Sequence, residues 1–209
     1  EMTIPVYTLG VELAVGSLTD LSSLCLRATY SRTIGDLFTP LFPDNAVFEL
    51  SNEVGSLSPL LNGALIPGHL VSFSATYGGS AYNLYKGRMK RVSTRPILGE
   101  KTTVIEAMTE VDRIGRTLIT APILVGLNAS SLFTEIMTRC AVQSFNADVV
   151  TDNVDYAWYA NKNALNAVVE LVKSGYYQSY VDGAGTFQMR GRYYGNFSTT
   201  VDTISVGLD

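Results

Sequence analysis

Hydrophobic and polar residues alternate through much of the first hundred positions. Strands have that period, because successive side chains leave opposite faces. In PVYTLGVEL the alternation sets Tyr7, Leu9, Val11 and Leu13 on one face and Val6, Thr8 and Gly10 on the other. In LCLRATYS it groups Leu24, Leu26, Ala28 and Tyr30. VFELSN comes after the turn-rich TPLFPDNA and before a loop, EVGSLSPLLNGALIPG. HLVSFSATYGGSAYNLYKGRMKRVST reads as two strands joined at Gly78-Gly79, since adjacent glycines supply the positive φ angles of a tight hairpin. EKTTVIEAMTE predicts another strand. Short strands at this spacing, punctuated by glycine and proline, predict a small β-barrel or sandwich.

The period changes near residue 129. SSLFTEIMTRCAVQ places Leu132, Phe133, Ile136, Met137, Cys140 and Ala141 on one side of an amphipathic helix. A second helix begins where Asn161 or Asn163 can accept from free backbone amides. Leu165, Val168, Val169 and Val172 give its apolar stripe, Lys173 complements its C-terminal dipole, and Gly175 is expected to supply a left-handed stop. YYQSYV and TFQMRGR then pair across DGAG. The expected architecture is α+β and mainly β. A barrel-like or sandwich domain occupies residues 1–110, with 193–209 returning to it. It is joined to an α+β domain over 111–192 with two helices and a β-hairpin.

Composition narrows the chemistry. The 209-residue chain is 46% hydrophobic and only 16% charged, with Tyr 12 and Phe 8. Surfaces rich in tyrosine are frequent at interfaces, where an apolar ring ends in a hydroxyl. A net charge of −4 argues against phosphate-driven nucleic-acid binding, and the only basic cluster is Lys86, Arg88, Lys90 and Arg91. The longest uncharged stretch, Thr117 to Thr134, is interrupted by Pro122, Gly126 and Asn128, so no membrane span is expected. Cys25 and Cys140 lie in apolar patterns and read as two buried free thiols. The start carries no secretory signal, and Glu1 before Met2 suits a piece of something longer.

Catalytic patterns are sparse. With one histidine, His69 after a Pro-Gly turn, no HExxH site can exist, and neither CxxC nor GxSxG occurs. Cys140 lies on an apolar helix face, which favours core packing over a pairing with His69. GAGTFQ and YGGSAY are hairpin turns, because neither follows a strand and opens a helix as phosphate loops do. Asp148, Asp152 and Asp155 do not follow the EF-hand spacing and read as solvated loop residues. No cofactor, metal or catalytic residue is expected, and the protein is not read as an enzyme. The candidate interaction surface is DYAWYAN, with Tyr156, Trp158 and Tyr159. Against it stands a plainer expectation, that Trp158 packs under the helix that follows.

Three segments in order resemble bacteriophage tail hub proteins. VFELSNEVGSLSPLLNGALIPGHLVSFSATYGGSAYNLYKGRMKRVS is similar to their L-x-N-x-x-G-x-x-S-P loop, their P-G-x-x-V strand and their L-[FY]-x-G step, here Leu84, Tyr85 and Gly87. AWYANKNALNAVVELVKSGYYQSYVDGAGTFQMRGR is similar to their aromatic strand, A-L-x-x-[LV] helix and Y-V-D-x-x-G-x-[FL] hairpin. The resemblance spans roughly residues 45 to 192. One departure is Val54-Gly55 where the family has Asp-Gly.

The resemblance implies a structural virion protein: a tail hub, tail-tip or baseplate component of long-tailed phages, related to hubs of contractile injection systems. Such hubs form trimeric rings of β-barrels that link the tail tube to a tip, spike or fibre. The implied partners are therefore further copies in a homotrimer and the neighbouring tail tube, tip or fibre proteins. The implied place is the phage tail of the virion, assembled in the host cytoplasm. Two other readings stay open at this point. One is a receptor- or carbohydrate-binding module using Tyr156, Trp158 and Tyr159; the other is a tail-associated cell-wall hydrolase.

Overall fold

A computed structural model describes residues 4–35, 41, 44–58, 65–97, 100–148, 150, 152–192 and 204–207. The first half and one C-terminal strand build an eight-stranded antiparallel sheet. Its strands are β1 (Val6–Ala14), β2 (Ser17–Asp20), β3 (Cys25–Tyr30), β5 (Asn45–Ser51), β6 (Leu70–Tyr77), β7 (Ser80–Ile97), β8 (Glu100–Met108) and β14 (Ile204–Gly207). They lie in the order β14-β3-β5-β8-β7-β6-β1-β2. Tyr77 pairs with Ser80 across Gly78 and Gly79, whose φ angles of 57° and 80° are those the hairpin requires.

The sheet curls without closing. Tyr30 on β3 and Phe73 on β6 are four strand steps apart, about 19 Å in a flat sheet. Their ring centroids nevertheless lie 6.1 Å apart, and Phe48 is 5.7 Å from Phe73. The strands must therefore wrap around one shared core, which includes Leu9, Val11, Phe48, Leu50, Phe73 and Ile105. Among the described residues no sheet closes on itself, so the barrel expected from the sequence is an open curled sheet.

The alternation along β1 holds, with Leu9 and Val11 buried beside the partly buried Tyr7 and Leu13. In β3 it fails at one place. The register shifts between Cys25 and Arg27, so Cys25 is buried and Leu26, expected inward, is 46% exposed.

Three helices pack with two further sheets around a second core, where sequence patterning predicted two helices. The helices are α1 (Glu110–Arg116), α2 (Ala129–Arg139) and α3 (Ala164–Gly175). One sheet has four strands, ordered β10 (Phe145–Ala147), β13 (Phe187–Arg190), β12 (Gln178–Val181) and β4 (Ile34–Gly35). The other is a two-stranded ribbon of β9 (Leu118–Asn128) and β11 (Asn153–Asn163). Strand β4 departs from its sequence neighbours to pair with β12, Ile34 opposite Tyr180.

Local signals explain the helix ends. Asn128 Oδ1 accepts from the Ser131 amide at 2.7 Å, and Asn163 Oδ1 accepts from the Asn166 amide at 3.1 Å. The buried stripe of α3 is Ala164, Ala167, Val168, Leu171 and Val172, a phase that leaves Leu165 and Val169 half-buried. The left-handed stop is Tyr176, at φ 57°, and not Gly175. Gly175 is required for space: a Cβ there would lie 2.0 Å from the Tyr177 ring. In α2 the buried face is as patterned up to Cys140, while Ala141 turns left-handed at φ 52° and is exposed.

Candidate interaction surface

The ribbon carries the aromatic stretch singled out by the sequence. Ile119 and Ala121 of β9 and Tyr159 of β11 enter the second core, and Leu124 and Ala157 pack against it. Alternation then drives Tyr156 and Trp158 outward. They are 73% and 65% exposed. Val125, directly opposite Tyr156, and Ile123 are also exposed, as is Leu118 at the ribbon's end. Five large apolar side chains thus lie open on one two-stranded unit. Tyr159 does not belong with them. It is buried, and burial pushes its phenol up to about 12. The expectation that Trp158 packs under α3 is overturned, because Tyr159 and Ala157 fill that role.

Between β11 and α3 runs a groove of about 260 Å³, open to solvent. Leu132, Ala167 and Leu171 form its floor, Tyr156 and Trp158 stand on one wall, and Glu170 and Ser174 on the other. Lys162 donates to Glu170 across it, which cancels the charge of both groups. Ile123, Val125, Lys162 and Glu170 were not singled out from the sequence. The uncharged run PILV in β9 was the available signal for the first two.

The motifs quoted above meet at the junction of the two cores. A Cβ on Gly183, in the β12–β13 turn, would lie 1.8 Å from the Asn83 carbonyl oxygen on β7. Gly185, at φ 80°, sits on the Lys86 side chain. Asp182 organises that turn, accepting from the Thr186 amide at 2.9 Å and from Gln188 Nε2 at 2.8 Å. A Cβ on Gly87 would collide with the Met108 carbonyl oxygen and the Tyr85 hydroxyl, each at 2.5 Å. Glu110 of α1 bridges Arg88 at 3.1 Å and Arg113 at 2.6 Å.

In the long loop, Asn52 Oδ1 accepts from the Leu57 amide at 2.9 Å while its Nδ2 donates to Thr103 Oγ1 at 3.0 Å. Gly55 turns at φ 77° and Val54 is 91% exposed, so this hydrophobic residue stays outside the core.

The titratable residues fill structural positions. His69 Nδ1 contacts the Glu12 carbonyl oxygen at 2.8 Å. The Glu12 carboxylate accepts from the Gly16 and Leu70 amides, which hold it below the usual carboxylate range. Asp148 pairs with Arg190 at 2.7 Å. Asp152 accepts from the Tyr177 hydroxyl at 2.7 Å and pairs with Arg192, contacts that lower its pKa. Asp148 and Asp152 are therefore loop residues, partly exposed as expected, that also pair with Arg190 and Arg192, while Asp155 is exposed on β11. Cys25 and Cys140 are free and buried, and burial raises both thiols. Among the described residues no cluster of three or more His, Cys, Asp and Glu could hold a metal, and no helix is long and apolar enough to cross a membrane.

No protein-family model matches the chain, and no curated protein matches it significantly in sequence. Solved structures do. The chain is similar to the 43 kDa tail protein of prophage MuSo2 from Shewanella oneidensis, with a TM-score of 0.64 and 9% identity over 90% of this chain and 56% of that one. It is similar to the prophage tail protein gp18 of Listeria monocytogenes EGD-e, with a TM-score of 0.57 and 13% identity over 91% and 52% of the two chains. A third is E. coli c3393, a type VI secretion component described as similar to the T4 tail proteins gp27 and gp5. Its TM-score is 0.58 and its identity 9%, over 87% and 48%. The chain thus spans about half the length of these structures. Curled sheet, helices and hairpin together have the fold of phage tail proteins and of the type VI secretion components that resemble them.

Proposed function

We propose that this protein is a structural component of a phage tail, a hub or tail-tip part that works through contacts with other copies and with neighbouring tail proteins. The observation that carries the reading is the fold likeness, which covers both cores and the junction between them at 87–91% of this chain. The exposed apolar ribbon supports it, since an uncovered surface of that kind is characteristic of a part meant for an assembly. In this reading the subunits form a homotrimeric ring on the tail axis, the ring joins the tube to a tip, spike or fibre, and the protein turns over no substrate. Imaging of the assembled particle tests this directly. Threefold density for this chain at the end of the tube is expected, and its location on a capsid or on a fibre shaft would refute the reading. Zymography on peptidoglycan is expected to stay blank.

A further inference from the structure

We propose that the free edge of β11 accepts an extended, uncharged peptide strand, which adds to the ribbon between β11 and α3 with small or aliphatic side chains facing the floor. Tyr156, Ala157, Trp158 and Tyr159 all line the groove. Alternate residues of a strand point to opposite faces, so consecutive residues share a groove only where it follows the strand's edge. No β9 residue lines it, which places it along the edge turned away from β9. That edge pairs with no strand among the described residues. Its backbone donors and acceptors are the groups a added strand would satisfy, and strand addition beside a helix is an established way for a protein to take up an extended segment.

The chemistry of the occupant follows from the walls. The floor of Leu132, Ala167 and Leu171 is apolar. Lys162 and Glu170, the two charged residues in the lining, pair with each other. The lining therefore offers a charged segment no unpaired counter-charge, which favours an uncharged one. At about 260 Å³ and open to solvent, the groove falls below the ~300–1,000 Å³ typical of small-molecule pockets. The aliphatic Ile123 and Val125 continue the exposed patch across the ribbon and offer a sugar ring no stacking face. The proposal rests on the reading of this chain as a contact-making part. Its test uses the free protein, so it can fail while tail assembly stands, and the reverse.

The probe is a hexapeptide of alternating valine and threonine, capped at both ends, beside a version N-methylated at every amide, so that neither of its edges can donate. Trp158 is the sole tryptophan, so its emission reports on the groove wall. Backbone amide exchange over residues 154–162 reports on pairing. At saturation the plain peptide is expected to shift the emission and slow exchange at alternate amides by about tenfold, and the N-methylated one to do neither. Ser174→Phe, on the exposed rim, fills the groove without touching the core and is expected to weaken binding about tenfold. Four results would each overturn the proposal: equal binding of the two peptides, no response at millimolar concentration, protection that appears with protein concentration alone, and an emission shift with sugars but not with the peptide.

Discussion

Gly183 faces the backbone of Asn83 so closely that a methyl group at its Cα would lie 1.8 Å from the Asn83 carbonyl oxygen. The β12–β13 turn and β7 therefore meet main chain to main chain. Gly183→Ala must push the two cores apart or unwind the turn, and overpacking of this kind costs ~1–3 kcal/mol. Gly191→Ala is the control, because nothing lies within 4 Å of its would-be Cβ. Urea midpoints should fall for the first variant and stay for the second.

Asp44 is 1% exposed, and burial pushes its carboxyl from 3.8 up to about 7, although Thr33 hydrogen bonds and Arg32 act the other way. Because the folded value is the higher one, the folded protein holds the proton more tightly. The stabilisation is complete below pH 3.8 and is lost as the pH rises through about 7. A displacement from 3.8 to about 7 corresponds to ~4 kcal/mol. Asp44→Asn should flatten the stability profile between pH 4 and pH 7, read as denaturation midpoints across that range. An unchanged slope would mean that another group titrates.

Asn52 is buried and holds both the Leu57 amide and the Thr103 hydroxyl. Its replacement by alanine strands the buried Leu57 amide and removes a donor to Thr103, at ~1–3 kcal/mol. Glu53→Ala, next door and exposed, should change stability by less than ~0.5 kcal/mol. Thermal unfolding of the pair tests whether Asn52 organises the loop.

Trp158 and Tyr159 are neighbours with opposite fates. Tyr159→Ser should cost ~3–5 kcal/mol, by analogy with the loss of other buried aromatic rings. Trp158→Ser should leave the fold within ~0.5 kcal/mol of wild type and lower the incorporation of the protein into tails. Calorimetry reads the first effect, and quantitation of the protein in purified particles reads the second.

Which features the sequence disclosed follows from the range of the interactions that set them. Gly78-Gly79 and Asp182–Thr186 announced their hairpins because turn geometry is decided within four residues. The α2 face was legible because an uninterrupted helix keeps its period. Leu26 was misplaced because one extra residue in β3 flips the alternation, and that shift is fixed by pairing with β5. Tyr176 took the left-handed angle expected of Gly175, and the glycine is required instead by the Tyr177 ring, a contact that the local pattern does not show. Trp158 was misphased from DYAWYAN because Tyr156, Trp158 and Ala160 are its wholly apolar alternating set; the core instead admits Tyr159 and Ala157, from the set that also holds Asp155 and Asn161. The curl of the large sheet, which brings Tyr30 onto Phe73, depends on strands far apart in sequence and left no local trace.

Strand β4 has a mechanical consequence. The backbone leaves the large sheet after Tyr30, pairs as Ile34 and Gly35 with β12, and re-enters at Asn45; it departs again after Met108 and returns at Ile204. A pair of lobes tethered by one segment swings like a door on a single hinge. Here the same polypeptide crosses between the halves after Tyr30 and again after Met108, and β4 hydrogen-bonds to β12 on the far side, so torque on either is carried across as on a welded joint.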